Sequence, residues 1–221
     1  MGKHTPRAAA SIGRVGALAV GLGIGAVLFA TPWAASAAPN SGGPNISVNH
    51  DGDTKVQKGA ATATSSDGSV AIAHGFGSDA TSSGKGSVAI VNGDHSTASA
   101  VGGVKNTAIV NGDNSSAYAG LNPTAPDGGD NNTAIVNGDN SIAAAGSGDN
   151  NTAIVNGDNS RAFAEAGNNN LATVDGDFSQ AFAELGDNNT ASATGPNSSA
   201  TAGPGDNNVA IAGPNDTVTD P

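Results

Sequence analysis

Residues 129–166 read GDNNTAIVN, GDNSIAAAGS, GDNNTAIVN and GDNSRAFAEA. Each of these four units opens on Gly and carries Ala at its sixth place, and their lengths alternate nine, ten, nine, ten. The same frame continues outward, with units opening at Gly129, Gly138, Gly148, Gly157, Gly167, Gly176, Gly186, Gly195 and Gly205. Two units therefore make a period of 19 residues. Earlier units open at Gly75, Gly84, Gly93, Gly103 and Gly112, with more degenerate ones at Val56 and Ser66. Between Gly112 and Gly129 the step is 17 residues, a ten-residue unit plus seven. Residues 121–127, Leu-Asn-Pro-Thr-Ala-Pro-Asp, have the Pro and Asp content of an extruded loop and fit that insertion.

Inside the units the pattern is strict. In this frame the sixth place is Ala in all sixteen units, from Ala61 to Ala210, and the eighth is Ala, Val or Ser. The fourth place alternates, Asn in nine-residue units (Asn132, Asn151, Asn170, Asn189) and Ser in ten-residue ones (Ser141, Ser160, Ser179, Ser198). Small residues at places four, six and eight have the period of a strand. The intervening Gly-Asp-Asn supplies turn chemistry, since Gly and Asn accept positive φ. A strand of about five residues with a tight turn every nine or ten cannot form hairpins with cores of their own. It can wind into a solenoid in which each rung stacks on the next at about 4.8 Å. The expected fold is all-β: a parallel β-solenoid or β-roll of about eight coils, two rungs per coil, on the order of 38 Å long.

Composition supports this architecture and excludes others. The chain has 221 residues, no Cys, one Met, one Trp, one Tyr, five Phe and 33 Gly. Large side chains supply most of the area that a globular core buries, so a conventional enzyme core is excluded. The formal charge of −11 argues against nucleic acid, which needs a basic footprint. Without Cys there is no disulfide, thiol nucleophile or thiolate metal site.

The first forty residues give an address. Lys3, Arg7 and Arg14 precede the apolar run of residues 15–30, and Ala35-Ser36-Ala37 follows Thr31-Pro32-Trp33. This is the layout of a secretory signal peptide, residues 1–37, cleaved near Ala37. The apolar run is short of the roughly 20 residues that span a bilayer, and no Arg-Arg pair marks the twin-arginine route. Cleavage removes three basic residues and no acidic one, leaving a mature chain of about −14 that is secreted or held at the cell surface, with no membrane span. Residues 38–55 read as a flexible Pro/Gly/Asn/Ser-rich lead-in, residues 56–213 as the solenoid and residues 214–221 as a C-terminal cap or tail. Two prolines and two acids in that last segment oppose end-to-end growth.

No catalytic constellation emerges. His4, His50, His74 and His95 lack metal-ligand spacing, no Ser sits in a nucleophile elbow, and Gly84-Lys85-Gly86-Ser87 lacks the spacing of a phosphate loop. The reading is of a non-enzymatic protein with no cofactor. Asp recurs after the unit Gly, as in Asp130, Asp139, Asp149 and Asp158. The calcium-binding nonapeptide of repeats-in-toxin rolls has similar turns but needs Asp at the sixth place, where this chain has Ala. A calcium-dependent secreted roll is thus one alternative, and a curli-like fibre subunit another.

Residues 68–72 and 86–90, Gly-Ser-Val-Ala-Ile, and the Asn-Thr-Ala-Ile-Val runs at 106, 132 and 151 resemble the head repeats of trimeric autotransporter adhesins. The resemblance covers roughly residues 56–213, and none of that family's stalk or membrane-anchor sequence. It departs in spacing, 19 residues against the family's usual fourteen or so. It implies a left-handed parallel β-roll, an adhesin-like or structural role, and association into a trimer. Ile72, Ile90, Ile109, Ile135, Ile154 and Ile211 stand at the seventh place, interrupted by Thr173 and Ser192. If Ala points inward they form an outward stripe, a self-association face. The inverted rung, Ile inside and Ala outside, is equally compatible with alternation. On the other sheet, Thr62, Thr81, Ser99, Tyr118, Ala144, Phe163, Phe182 and Thr201 share one column, with the three aromatics as a smaller patch. No receptor or matrix ligand can be named from these residues.

Overall fold

The computed structural model describes residues 45–120 and 128–221, which hold nineteen β-strands and no helix. The signal peptide, its cleavage site, residues 38–44 of the lead-in and the insertion 121–127 lie outside the described residues. Sheet A contains β1 (Ile46–His50), β2 (Asp53–Lys58), β4 (Val70–His74), β6 (Val88–Asn92), β8 (Thr107–Asn111), β10 (Thr133–Asn137), β12 (Thr152–Asn156), β14 (Leu171–Asp175), β16 (Thr190–Thr194) and β18 (Val209–Ala212). Sheet B contains β3 (Thr62–Ser65), β5 (Asp79–Ser82), β7 (Thr97–Ala100), β9 (Ser116–Gly120), β11 (Ile142–Gly146), β13 (Arg161–Glu165), β15 (Gln180–Glu184), β17 (Ser199–Ala202) and β19 (Thr217–Asp220). From β2 onward successive strands alternate between the sheets, and from β3 onward each pairs in parallel with the strand one coil away. This is the parallel β-solenoid of about eight coils and 19-residue period.

The register decides which face is inside. Ala134 lies opposite Ala108 and Ala153, and Ala143 opposite Ala117 and Ala162. Asn151, Ala153 and Val155 are buried, while Thr152 and Ile154 are partly exposed. Places four, six and eight therefore point inward and place seven outward. The largest fully buried side chains are Val91, Val110, Val136, Val155 and Val174 from sheet A and the Asn column. Sheet B answers with Ala alone at its eighth place, from Ala100 to Ala202. The larger Val of one sheet fills the space left by the smaller Ala of the other, so the sheets pack without any aromatic residue.

Inward polar groups close their bonds along the roll axis. Asn151 Oδ1 accepts the backbone N–H of Asn170 (2.9 Å), and its Nδ2 donates to the Gly167 carbonyl (2.7 Å). Ser160 Oγ accepts the N–H of Ser179 (3.0 Å) and donates to the Gly176 carbonyl (2.8 Å). The Asn/Ser alternation has a geometric cause. Corners that precede Asn contain one residue more, such as Ser147, Ala166 or Leu185, each with φ of 55–59°. The longer Asn side chain also reaches back to the carbonyl before that extra residue, as Asn151 Nδ2 does to Gly146 (3.3 Å) and Asn170 Nδ2 to Glu165 (3.4 Å). At the tighter corner Ser suffices, and its Oγ bonds the carbonyl two residues back, as in Ser160 to Asp158 (3.0 Å). The unit Gly is required by close approach: a Cβ on Gly138 would collide with the Gly157 carbonyl of the next coil.

Both ends differ from the sequence reading. The segment expected as a flexible lead-in holds β1 and the start of β2, an antiparallel hairpin that pairs with β4 and closes sheet A. Asp51 and Gly52 at its tip both have positive φ (51° and 82°), the requirement of a type I′ turn. The first degenerate unit is displaced by two residues: Ala63, not Ala61, lies opposite Ala80, and Thr64, not Thr62, stands beside Thr81. No unit Gly precedes it to fix the frame. Residues 214–221 are not a separate tail, since β19 continues sheet B with Val218 opposite Ala200. The acids there do cap: Asp216 accepts the N–H of Thr217 (2.8 Å) and Asp220 that of Val209 (2.8 Å).

Asn151→Ala leaves the buried Asn170 N–H and Gly167 carbonyl without partners, and at 1–3 kcal/mol each its cost is about 3 kcal/mol in urea unfolding. Phe178 holds φ 55° at an exposed corner place where Asn is usual. Phe178→Asn is expected to raise stability by about 1 kcal/mol, because Asn tolerates the left-handed region.

Candidate interaction faces

Three surfaces carry the chemistry of this molecule: the two outer sheet faces and the corners. On sheet A, places five, seven and nine form three straight columns, for example Thr133, Ile135 and Asn137 of β10 beside Thr152, Ile154 and Asn156 of β12. The predicted residues Ile72, Ile90, Ile109, Ile135 and Ile154 stand on adjacent strands of sheet A in one unbroken column. Ile72 and Ile109 are only 6% exposed, so much of each side chain is covered in place. Ile211 is not part of that run. Thr173 and Ser192 intervene, and it lies 61% exposed on the last strand of its sheet.

The hairpin lengthens the column in the other direction. Val48 lies opposite Ile72, and Val56 opposite Val48, so the apolar run extends from Val56 to Ile154. Sequence reasoning missed both valines. Their signal was present in the alternation of residues 46–50 and 54–57 about Asp51-Gly52, a two-residue hairpin signature.

From β4 to β16 the outward residues of sheet A are Val, Leu, Ile, Thr, Ser and Asn, with His74 and Asp175 the titratable exceptions. The Asn column is linked sideways, with Asn111 Nδ2 donating to Asn137 Oδ1 (2.9 Å) and Asn137 Nδ2 to Asn156 Oδ1 (2.9 Å). At the far end Thr173 Oγ1 donates to Ser192 Oγ (3.1 Å).

Sheet B is different. Tyr118, Ala144, Phe163 and Phe182 follow one another up a column, and the Phe rings stack at 5.5 Å with 6° between planes. Beside them Glu165 and Glu184 are neighbours across β13 and β15. Burial pushes the Glu165 carboxyl above its ordinary value and the Glu184 carboxylate adds to the effect; burial likewise raises Glu184. Burial also raises Asp79 on β5.

The corner carboxylates are engaged with backbone. Asp158 Oδ1 accepts the N–H of Asp139 (2.8 Å) and Asp149 Oδ1 that of Asp130 (2.8 Å), each bond joining one coil to its neighbour. The acidic turns are therefore acceptors that tie coil to coil, more than surface decoration. Among the described residues no three His, Cys, Asp or Glu side chains are grouped to hold a metal ion. His95 packs edge-on against Phe76 at 5.4 Å, and His74 Nδ1 lies 3.1 Å from Asn92 Oδ1.

Comparison with known proteins adds no relative: no family model, no curated protein and no solved structure matches the chain.

Glu165 and Glu184 set a pH dependence. Their raised folded values mean that these groups bind more protons in the native state, so their contribution to stability is fully present below the ordinary glutamate value of about 4.3 and is lost as pH rises through the raised folded values. Glu165→Gln is expected to raise the urea midpoint at pH 7 and to leave it unchanged near pH 3.

Proposed function

We propose that this chain is an exported, non-enzymatic β-solenoid that works at the cell surface or outside the cell as an adhesin-like or structural module, its copies associating through the outer face of sheet A. One observation carries the association: on a strongly acidic molecule, this face carries one carboxylate between β4 and β16 and an unbroken apolar column from Val56 to Ile154. Like-charge repulsion is weakest here, and burying the column removes apolar surface from water. Ten strands at about 4.8 Å and five residues at about 3.3 Å give a flat area of roughly 800 Å² per partner, the size of a standard stable interface.

Export rests on the basic, apolar and small-residue succession of residues 1–37. The resemblance to adhesin head repeats supports the surface role and makes three copies the expected number. Stacking of further copies onto the last coil, as in a fibre, is opposed by Asp216 and Asp220, which occupy N–H groups a further strand would use. A calcium-dependent fold is disfavoured by the backbone bonds already made to corner carboxylates.

Sedimentation of residues 38–221 at micromolar concentration tests the association. An oligomer that Ile109→Asp with Ile154→Asp converts to monomer is expected, and a wild-type monomer refutes it. Circular dichroism with and without a chelator is expected to show the same strand signal; collapse to coil would establish the calcium-dependent roll instead.

A further inference from the structure

Four copies of one hexapeptide, Ala-Ile-Val-Asn-Gly-Asp, occupy residues 89–94, 108–113, 134–139 and 153–158. Each ends a strand of sheet A and places its Asn in the outward column, with the unit Gly directly after it. Both residues are dictated by the fold. Gly is needed because a Cβ on Gly93, Gly112, Gly138 or Gly157 would collide with the backbone of the next coil. Asn supplies the sideways bonds of the column.

Asn followed by Gly is also the most reactive asparagine context, because an unbranched neighbour leaves its amide nitrogen free to approach the side chain. In that reaction hydroxide removes the Gly amide proton and the nitrogen attacks Asn Cγ. The Cγ–Nδ2 bond breaks, ammonia leaves with a proton from water, and a succinimide remains. Water then opens either carbonyl to give aspartate or isoaspartate.

We infer that these four asparagines are a spontaneous modification site gated by coil stacking, silent in the closed roll and reactive only where a coil opens. The bonds that must break are on the page. The Gly93 N–H donates to the His74 carbonyl (3.0 Å) and the Gly112 N–H to the Asn92 carbonyl (3.2 Å), so two of the four attacking nitrogens are engaged. The side chains of Asn111, Asn137 and Asn156 are tied together, and Asn92 Oδ1 lies 3.1 Å from His74 Nδ1. Asn137 is held from both sides, accepting from Asn111 and donating to Asn156. Swinging its Cγ toward Gly138 costs two hydrogen bonds, against one for Asn111.

Conversion has two consequences. Aspartate adds charge to a face of sheet A that carries only Asp175 between β4 and β16, and isoaspartate adds a methylene to the backbone where the corners of successive coils nearly touch. An opened coil would thereby be marked irreversibly.

The repeated hexapeptide supplies its own control, since local sequence sets the intrinsic rate and is the same at all four places. The full chain is incubated at pH 8 and 37 °C, native and in 8 M urea, and each Asn is followed by peptide mass and isoaspartate content. In urea the four are expected to convert at similar rates. In the native protein all four should be slowed at least tenfold, with Asn137 slowest, and Asn111→Ala should speed conversion at Asn137. Equal native and urea rates would overturn the gating, as would an Asn137 rate unchanged by Asn111→Ala in a protein whose circular dichroism is native. These readouts are independent of oligomeric state, so the fate of the association proposal does not decide them.

Discussion

The structure depends on satisfying polar groups inside a narrow roll lined only by Ala, Val, Ser and Asn. The interior is about one side chain deep per sheet, and its fourth place must carry a group that both accepts an N–H and donates to a carbonyl of the next coil. Asn and Ser meet that demand, with Oδ1 or Oγ accepting and Nδ2 or Oγ donating. Asn takes the corner with an extra residue because only its longer amide reaches the additional carbonyl there. An unpaired group at this depth costs as much as several buried methylenes contribute, so the polar ladders fix the register as firmly as the Ala and Val columns do.

The same economy reaches the surface. Corner aspartates accept backbone N–H groups one coil away, so the acidity of the chain is largely structural. Concentrating charge at corners leaves sheet A with a single carboxylate, Asp175, between β4 and β16, and the in-register stacking of like strands turns single isoleucines into a continuous column. A continuous apolar face is in this sense a by-product of repetition: one outward Ile is ordinary, and five on adjacent strands of one sheet with two valines beyond them form a surface.

Function was less legible than fold for a physical reason. A solenoid spaces its side chains at a fixed interval and lays them flat, which builds extended faces in preference to concave pockets. Catalysis needs convergent groups in a cleft. The outward columns on sheets A and B were readable from the seventh place of the units, and Tyr118, Phe163 and Phe182 fall where that place predicts. What such a face touches is not written in its spacing.

The sequence by itself determined the all-β class, the 19-residue period, the unit Gly at the corners and the Ala column, because each is a local requirement repeated until chance is excluded. It could not determine which face of the strand lies inside, since alternation is symmetric and only the closing of two sheets on each other tells Ala from Ile. Nor could it place the ends. Where the unit Gly is missing, register is set by pairing, and so Ala63 took the place expected of Ala61. The hairpin of β1 and β2 became the cap of sheet A, and Val218 continued the core column beyond the last Ala. Tertiary structure decided those positions because backbone hydrogen bonds to a neighbouring coil outweigh the local motif wherever the motif is weak.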